Sequence, residues 1–233
     1  MNLRWVWILV LGAALCRPAA AATLAYGLDQ ANSGLPDGTV SVIVTIADGI
    51  GGSIVFTIAT SPGAFAEGIN FGVQSFGFNL AVGATPLSAA NFLLPAGWTV
   101  ASSKKQNGFG RFDWVVSGSG GSRLDPLVFS ILGIADDTPA SYFDLSGAPA
   151  SEGQVAFAAH VAGFVPPSGS GPTSAYFGGS TPVPLPAAAW LLGSGLIGLL
   201  GMARARFRRT ARMAWRSRRQ PHSRPSTTGS VRA

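Results

Sequence analysis

From Thr39 to Ile46 the chain reads Thr-Val-Ser-Val-Ile-Val-Thr-Ile, with Val40, Val42, Val44 and Ile46 at alternate positions. Alternation with period two places those side chains on one apolar face of a strand, and β-branched residues suit a pleated surface. Gly49, Gly51 and Gly52 interrupt the run before 53–59 resumes it, which predicts a hairpin. Further strands are expected over 69–80, 98–102, 109–116, 127–134 and 154–164, rich in Thr, Val, Ile and Phe and punctuated by Gly, Pro, Asn and Asp. Between 23 and 165 no ten-residue window free of Gly and Pro carries helical apolar spacing, although 87–93 could form a turn. Seven or eight short strands predict a mostly β domain over 23–165, an antiparallel β-sandwich or jelly roll, with no repeat of fixed period.

The two ends have another texture. Residues 1–22 read as a secretory signal peptide: Arg4 gives a positive start, 5–15 an apolar core, and Ala20-Ala-Ala22 a small-residue cleavage site. Pro166-Pro-Ser-Gly-Ser-Gly-Pro172 opens an expected linker over 166–181, in which Tyr176-Phe-Gly-Gly179 is either a last edge segment or part of the linker. Pro182, Pro184 and Pro186 follow. Each fixes φ and biases its predecessor toward extended backbone, so a stiff, projecting stalk is predicted. Residues 187–203 carry no charge. As a helix they would be about 25 Å long, at the short end of what crosses a bilayer. Arg204, Arg206, Arg208 and Arg209 then form a membrane stop on the cytoplasmic side, and 210–233 is an Arg-rich tail expected to be disordered.

Charge follows the same division. All ten acidic residues lie between Asp29 and Glu152, opposed there only by Lys104, Lys105, Arg111 and Arg123. Ten of the sixteen basic residues are arginines from Arg204 onward. The net positive charge thus belongs to the tail; a nucleic-acid partner is not indicated, and headgroup contact beside a span is the better account of the arginines. The single cysteine, Cys16, falls in the signal peptide, so the body of the protein has no disulfide and no thiolate chemistry.

A proline motif, an apolar span and an arginine cluster in that order, over 182–209, resemble the PEP-CTERM sorting signal of Gram-negative bacteria. Val183-Pro-Leu-Pro-Ala-Ala-Ala-Trp190 is similar to its Val-Pro-Leu-Pro variant. Leu185 stands where the archetype has Glu, and the tail beyond Arg209 is longer than the family's usual few basic residues. The resemblance implies a processing motif at Val183, Pro184, Leu185, Pro186 and Ala187. Its partner would be an exosortase, a membrane-embedded, cysteine-type transpeptidase-like enzyme that cuts near the motif and releases the helix and tail. It also implies export through the inner membrane, transient anchoring by the C-terminal helix, and a final place at the cell surface with exopolysaccharide and biofilm matrix. Gly108-Phe-Gly-Arg-Phe-Asp-Trp114, Pro126-Leu-Val-Phe-Ser-Ile131 and Val155-Ala-Phe-Ala-Ala-His-Val-Ala-Gly163 resemble blocks of such ectodomains, which adds support for the fold and no chemistry.

Candidate chemistry in the domain is sparse. His160 is its only histidine and lies on an apolar alternating strand, so a hydrogen-bonded structural role is expected. Without a second His or any Cys there is no nucleophile–base pair and no zinc site. Ser102-Ser-Lys-Lys105 fits a Ser-x-x-Lys pattern but lacks the companion motifs of the serine acyl-enzymes. Carboxylates are scattered at Asp113, Asp125, Asp136, Asp137, Asp144 and Glu152, of which two converging would serve a glycosidase or hold calcium as the weaker alternatives, while Asp136-Asp-Thr-Pro139 is read as a turn. Gly118-Ser-Gly-Gly121 is a flexible hairpin loop. Phe112 and Trp114 are expected on one face, as core, while Trp98 and Trp114 are the candidates for stacking on a sugar. The reading is a secreted surface or matrix protein without catalytic activity, cofactor or metal. Its rivals are a permanently anchored glycan-binding protein and a secreted glycan hydrolase.

Overall fold

The computed structural model describes residues 21–166 and 170–184. The signal-peptide start, Ala20, the motif residues Leu185, Pro186 and Ala187, the span 187–203, the arginine cluster and the tail lie outside the described residues. Among the described residues no helix is long and apolar enough to cross a membrane.

Twelve strands form two antiparallel six-stranded sheets. The first runs β12 (Thr181–Pro182), β1 (Thr23–Leu28), β3 (Val42–Asp48), β4 (Ile54–Thr60), β9 (Leu127–Ile131), β6 (Phe92–Leu93). The second runs β2 (Gln30–Ala31), β11 (Ser174–Gly179), β10 (Phe157–Val165), β5 (Ala66–Phe78), β8 (Gly110–Gly118), β7 (Trp98–Gln106). The expected strands are therefore present, and the expected turn at 87–93 is a short 3₁₀ segment, Ala89–Asn91, capped by Ser88.

Alternation explains the first sheet. Val42, Val44 and Ile46 of β3 and Ile54, Phe56 and Ile58 of β4 all point inward, paired as Val44↔Ile58 and Ile46↔Phe56. The hairpin between them turns at Gly51 and Gly52, at φ 70° and 75°, where a side chain would be strained. Phe56 is the hub of the shared core. Its ring stacks on Phe129 at 4.8 Å and meets Phe78 of the second sheet at 5.0 Å and Tyr142 edge-on at 5.1 Å.

The second sheet is covered on both faces, and this corrects two expectations. A small outer cluster of Phe109, Phe112, Val115, Val155 and Ala158 lies on the side away from the main core. Phe112 belongs to that cluster, whereas Trp114 packs against the main core, so the two do not share a face. The outer rings lie flat because glycines sit beneath them. A Cβ on Gly77 would come within 2.9 Å of Phe112, and one on Gly178 within 2.5 Å of Phe109. The segment 146–155 closes over the cluster. Ser146 Oγ donates to the Phe109 carbonyl at 2.5 Å and accepts from the Val155 amide at 3.2 Å, while Arg111 and Gly147 exchange backbone hydrogen bonds.

The second correction concerns the linker expected over 166–181. Residues 174–179 are β11, second in its sheet and paired with both β10 and β2, with Ala175 and Phe177 in the core. The next residues, β12, add to the edge of β1. The stalk expected from the first prolines is also docked, since the Val183 amide donates to the Ala25 carbonyl at 2.8 Å. Composition made this stretch look like a linker. Alternating Ala175 and Phe177, and glycines that let β11 approach β1 closely, make it a strand. A Cβ on Gly179 would meet the Gly27 carbonyl at 2.3 Å.

Candidate functional site

The outer face of the second sheet holds the polar features that the core does not consume. Alternation in β10 and β11 sends Phe157, Ala159, Val161, Ala175 and Phe177 inward, which leaves His160 and Tyr176 outward. These two are direct cross-strand partners, and their rings stack with centroids 4.3 Å apart and 11° between planes. Burial, then the Arg123 guanidinium, holds the His160 pKa below its ordinary value, and burial raises that of the Tyr176 phenol. His160 is held by this stacking, and the hydrogen bond expected for it is not found among the described residues.

A cavity opens on each side of this pair. His160 lines the larger, of about 540 Å³, with Arg123, Ile69, Gly163 and Thr173. Its floor is irregular because the register of β10 against β5 shifts at His160/Val161 and again at Ala162/Phe164. Gly163, at φ 82°, allows the second shift, since a Cβ there would lie 2.7 Å from the carbonyl oxygens of Ile69 and Asn70. Arg123 reaches across to Gln74 Oε1 at 2.9 Å and to the Asn70 carbonyl at 3.1 Å.

Tyr176 lines the smaller cavity, of about 380 Å³, with Lys105, Gln106, Asn107, Gly108 and Ser151. Gln106 is 2 % exposed. Its Oε1 accepts from Ser75 Oγ at 3.2 Å, yet its Nε2 is buried with no partner. An unsatisfied buried donor costs about 1–3 kcal/mol, so the fold carries this amide at a loss. Lys105 stands directly opposite Arg111 in the β7–β8 ladder, with Lys104 beside it. Like charges facing each other across a ladder are destabilising. No carboxylate relieves them: Arg111 donates to Ser103, Arg123 to Gln74 and Asn70, and among the described residues neither lysine forms an ion pair. In a domain with ten carboxylates, all four cations lie on or beside the second sheet, and none forms an ion pair among the described residues.

The residues nominated from sequence fall elsewhere. Trp98 is 7 % exposed and donates from Nε1 to the Ser122 carbonyl at 2.8 Å. Trp114 is half-buried and packs on Phe92 at 5.1 Å. Trp98 is a core residue without an open ring face, whereas Trp114 packs against the core and remains partly exposed. Ser102 and Lys105 lie on a strand, where a spacing of three residues is a separation of about 10 Å rather than a contact. Asp136, at φ 54°, and Asp137 form the turn foreseen for them. Asp137 accepts from the Thr138 amide at 2.9 Å and from the Tyr142 hydroxyl. No group of three or more His, Cys, Asp and Glu placed to hold a metal ion occurs among the described residues. At the two ends of the domain, Val183 is fastened to β1, and the Ala22 amide donates to Asp48 Oδ2 at 2.6 Å.

Gln106 and Tyr176 were not legible as site residues in the sequence. The one local signal was Lys104-Lys105, the only adjacent pair of cations in the acidic domain. No family model matches the chain, and neither a curated protein nor a solved structure does.

Proposed function

We propose that this chain is an exported surface or extracellular-matrix protein of a Gram-negative bacterium, delivered by exosortase-type processing at Val183-Pro-Leu-Pro186 and without catalytic activity of its own. The observation that carries it is the order of segments. The last strand of the two-sheet β domain, Thr181–Pro182, leads straight into the motif, and in the sequence the 17 uncharged residues 187–203 and then Arg204, Arg206, Arg208 and Arg209 follow. The two sheets are read as a β-sandwich ectodomain, preceded by a signal peptide cleaved after Ala22. The matrix partner is an exopolysaccharide, held on the outer face of the second sheet. A non-catalytic role is supported by the state of the domain's one histidine, which is stacked on Tyr176 and shifted toward the neutral form.

The test is the intact mass of the protein recovered from native cells, with peptide mapping of its C-terminus. An end between Pro184 and Ala188, free or carrying added mass, is the expected result. A mature chain that still contains Trp190 and the arginines makes this a tail-anchored protein and removes the processing step.

A further inference from the structure

The larger cavity brings two nitrogen-bearing side chains together where no carboxylate answers them. We infer that it is a binding site for the carboxylate of an acidic sugar unit, a hexuronate, which takes hydrogen bonds from Arg123 Nη2 and the His160 ring and lays its C–H face on Ile69 and Val165. The inference rests on the proposed matrix role and names the class of polysaccharide that the domain would hold.

Topology makes the site. Leu124 and Val73 form an isolated bridge; Val73 is buried in the main core and Leu124 packs against it. Alternation then sends Arg123 to the outer side, across β5 from His160. Gln74 and the Asn70 carbonyl occupy Arg123 Nε and Nη1 and leave Nη2 without a partner. The stack on Tyr176 fixes the His160 ring, and neither of its nitrogens has a partner among the described residues. None of these nitrogens is sealed. The partnerless side-chain atoms cut off from solvent among the described residues are Gln30 Oε1, Ser33 Oγ, Ser61 Oγ and Gln106 Nε2. The donors of the larger cavity are therefore both reachable and held in place, so that little side-chain freedom is lost on binding.

The sign of the charge follows from the surroundings. Facing His160 are Tyr176 from β11, Ser75 from β5, and Arg123 beyond it. Glu67, the one carboxylate on β5, β10 and β11, stands opposite Phe164 and does not line the cavity. Arg123 disfavours the imidazolium as long as nothing negative lies beside them. A bound carboxylate is attracted by both groups and reverses that effect. At about 540 Å³ the cavity has the size of a small-molecule site.

The rim separates an acidic sugar from a simple anion. Ile69 is 89 % exposed and Val165 46 % exposed, and both line the cavity with the hydroxyl-bearing Thr173 and Ser174. Two open aliphatic side chains offer an apolar surface to the C–H face of a sugar ring, which an inorganic anion does not use. A neutral sugar gains that surface but leaves Arg123 unanswered.

The chain has two histidines, His160 and His222 of the arginine-rich tail, so their imidazole signals report the cavity and the tail separately. The experiment is an NMR pH titration of the full chain, purified in detergent, alone and with tetragalacturonate, cellotetraose or inorganic phosphate; His160→Gln assigns the signals. The His160 midpoint starts below 6.5. Tetragalacturonate is expected to raise it by about half a pH unit or more, which by linkage is about threefold tighter binding to the imidazolium than to the neutral ring. Arg123→Gln should remove this rise. So should Ile69→Glu, which puts a carboxylate on an exposed position at the mouth and decides the matter if Arg123→Gln fails to fold. No shift at His160, a shift at His222 alone, an equal shift with cellotetraose, a shift with phosphate alone, or a rise that survives Ile69→Glu each overturns the assignment. The C-terminal mass from native cells is read separately. A processed end without the His160 shift rejects this site and leaves delivery standing, whereas an unprocessed end with the shift does the reverse.

Discussion

His160 and Tyr176 face each other across β10 and β11 and stack at 4.3 Å, on the side of the second sheet that the core does not use. The stack keeps His160 partly out of water beside Arg123, and both effects disfavour the imidazolium.

That arrangement sets a pH dependence. The folded pKa of His160 lies below 6.5, so the unfolded chain binds the proton more readily. The stability it contributes is fully present above pH 6.5 and is lost as pH falls through the folded value. The thermal midpoint is expected to drop over this window, and His160→Gln should flatten the drop. Calorimetric melts from pH 8 to pH 4.5 on both proteins check it.

Trp98 and Trp114 predict loss of stability and not loss of a ligand. Trp98→Ala removes a buried indole that lies against Gly118 and should cost about 3–5 kcal/mol. Trp98→Phe keeps most of the packing but strands the Ser122 carbonyl, at about 1 kcal/mol. Trp114→Ala should fall below the Trp98→Ala value, since its ring is only half-buried. Urea midpoints measure all three. Any fall in glycan binding should track the unfolded fraction.

Gly178 predicts the cost of filling a flat place. An alanine there meets the Phe109 ring at 2.5 Å, so the ring must leave the outer cluster or β11 must shift. Gly178→Ala is expected to destabilise by about 1–3 kcal/mol. Gly121→Ala, where a Cβ meets nothing closer than 4.0 Å, is the control and should change little. Chemical denaturation of the pair reads the difference.

Tyr142 is buried, with its hydroxyl on Asp137, and burial followed by that hydrogen bond raises its pKa. A raised folded pKa means a contribution present below pH 10 and lost as pH rises beyond it. Spectrophotometric titration should show one tyrosine that ionises only with alkaline unfolding, and Tyr142→Phe should remove that step.

The docked end of the domain gives a last expectation. A chain ending after Ser180 loses β12 and the Val183–Ala25 hydrogen bond, at about 1 kcal/mol per bond, and exposes the edge of β1. A chain ending after Pro184 keeps them. Hydrogen exchange at Ala25–Gly27 should be faster in the shorter chain. If the two are equal, the docked segment adds nothing to the edge.

Local pattern determined the elements whose signal is contained in their own residues. Val42, Val44 and Ile46 alternate against a glycine turn, and any partner that buries one face of such a run makes it a strand. The order of proline motif, uncharged run and arginines is likewise complete in the sequence, because charge and hydropathy are properties of the segment itself. What the sequence alone could not decide depends on residues brought together from afar. Tyr176-Phe-Gly-Gly179 read as either an edge segment or linker because Gly and Ser dominate the surroundings, yet β10 and β2 supply two ladders that make 174–179 an interior strand. Phe112 and Trp114 parted because the β7–β8 pairing is interrupted between them, where Ser103 stands at φ 52° and Asp113 has no ladder partner, and the outer face that receives Phe112 rests on Gly77. His160 and Arg123 became a candidate site only when β5 and β10 brought them to one cavity. Burial without a partner, and charge without a counter-charge, are relations among distant side chains, and only the tertiary structure creates them.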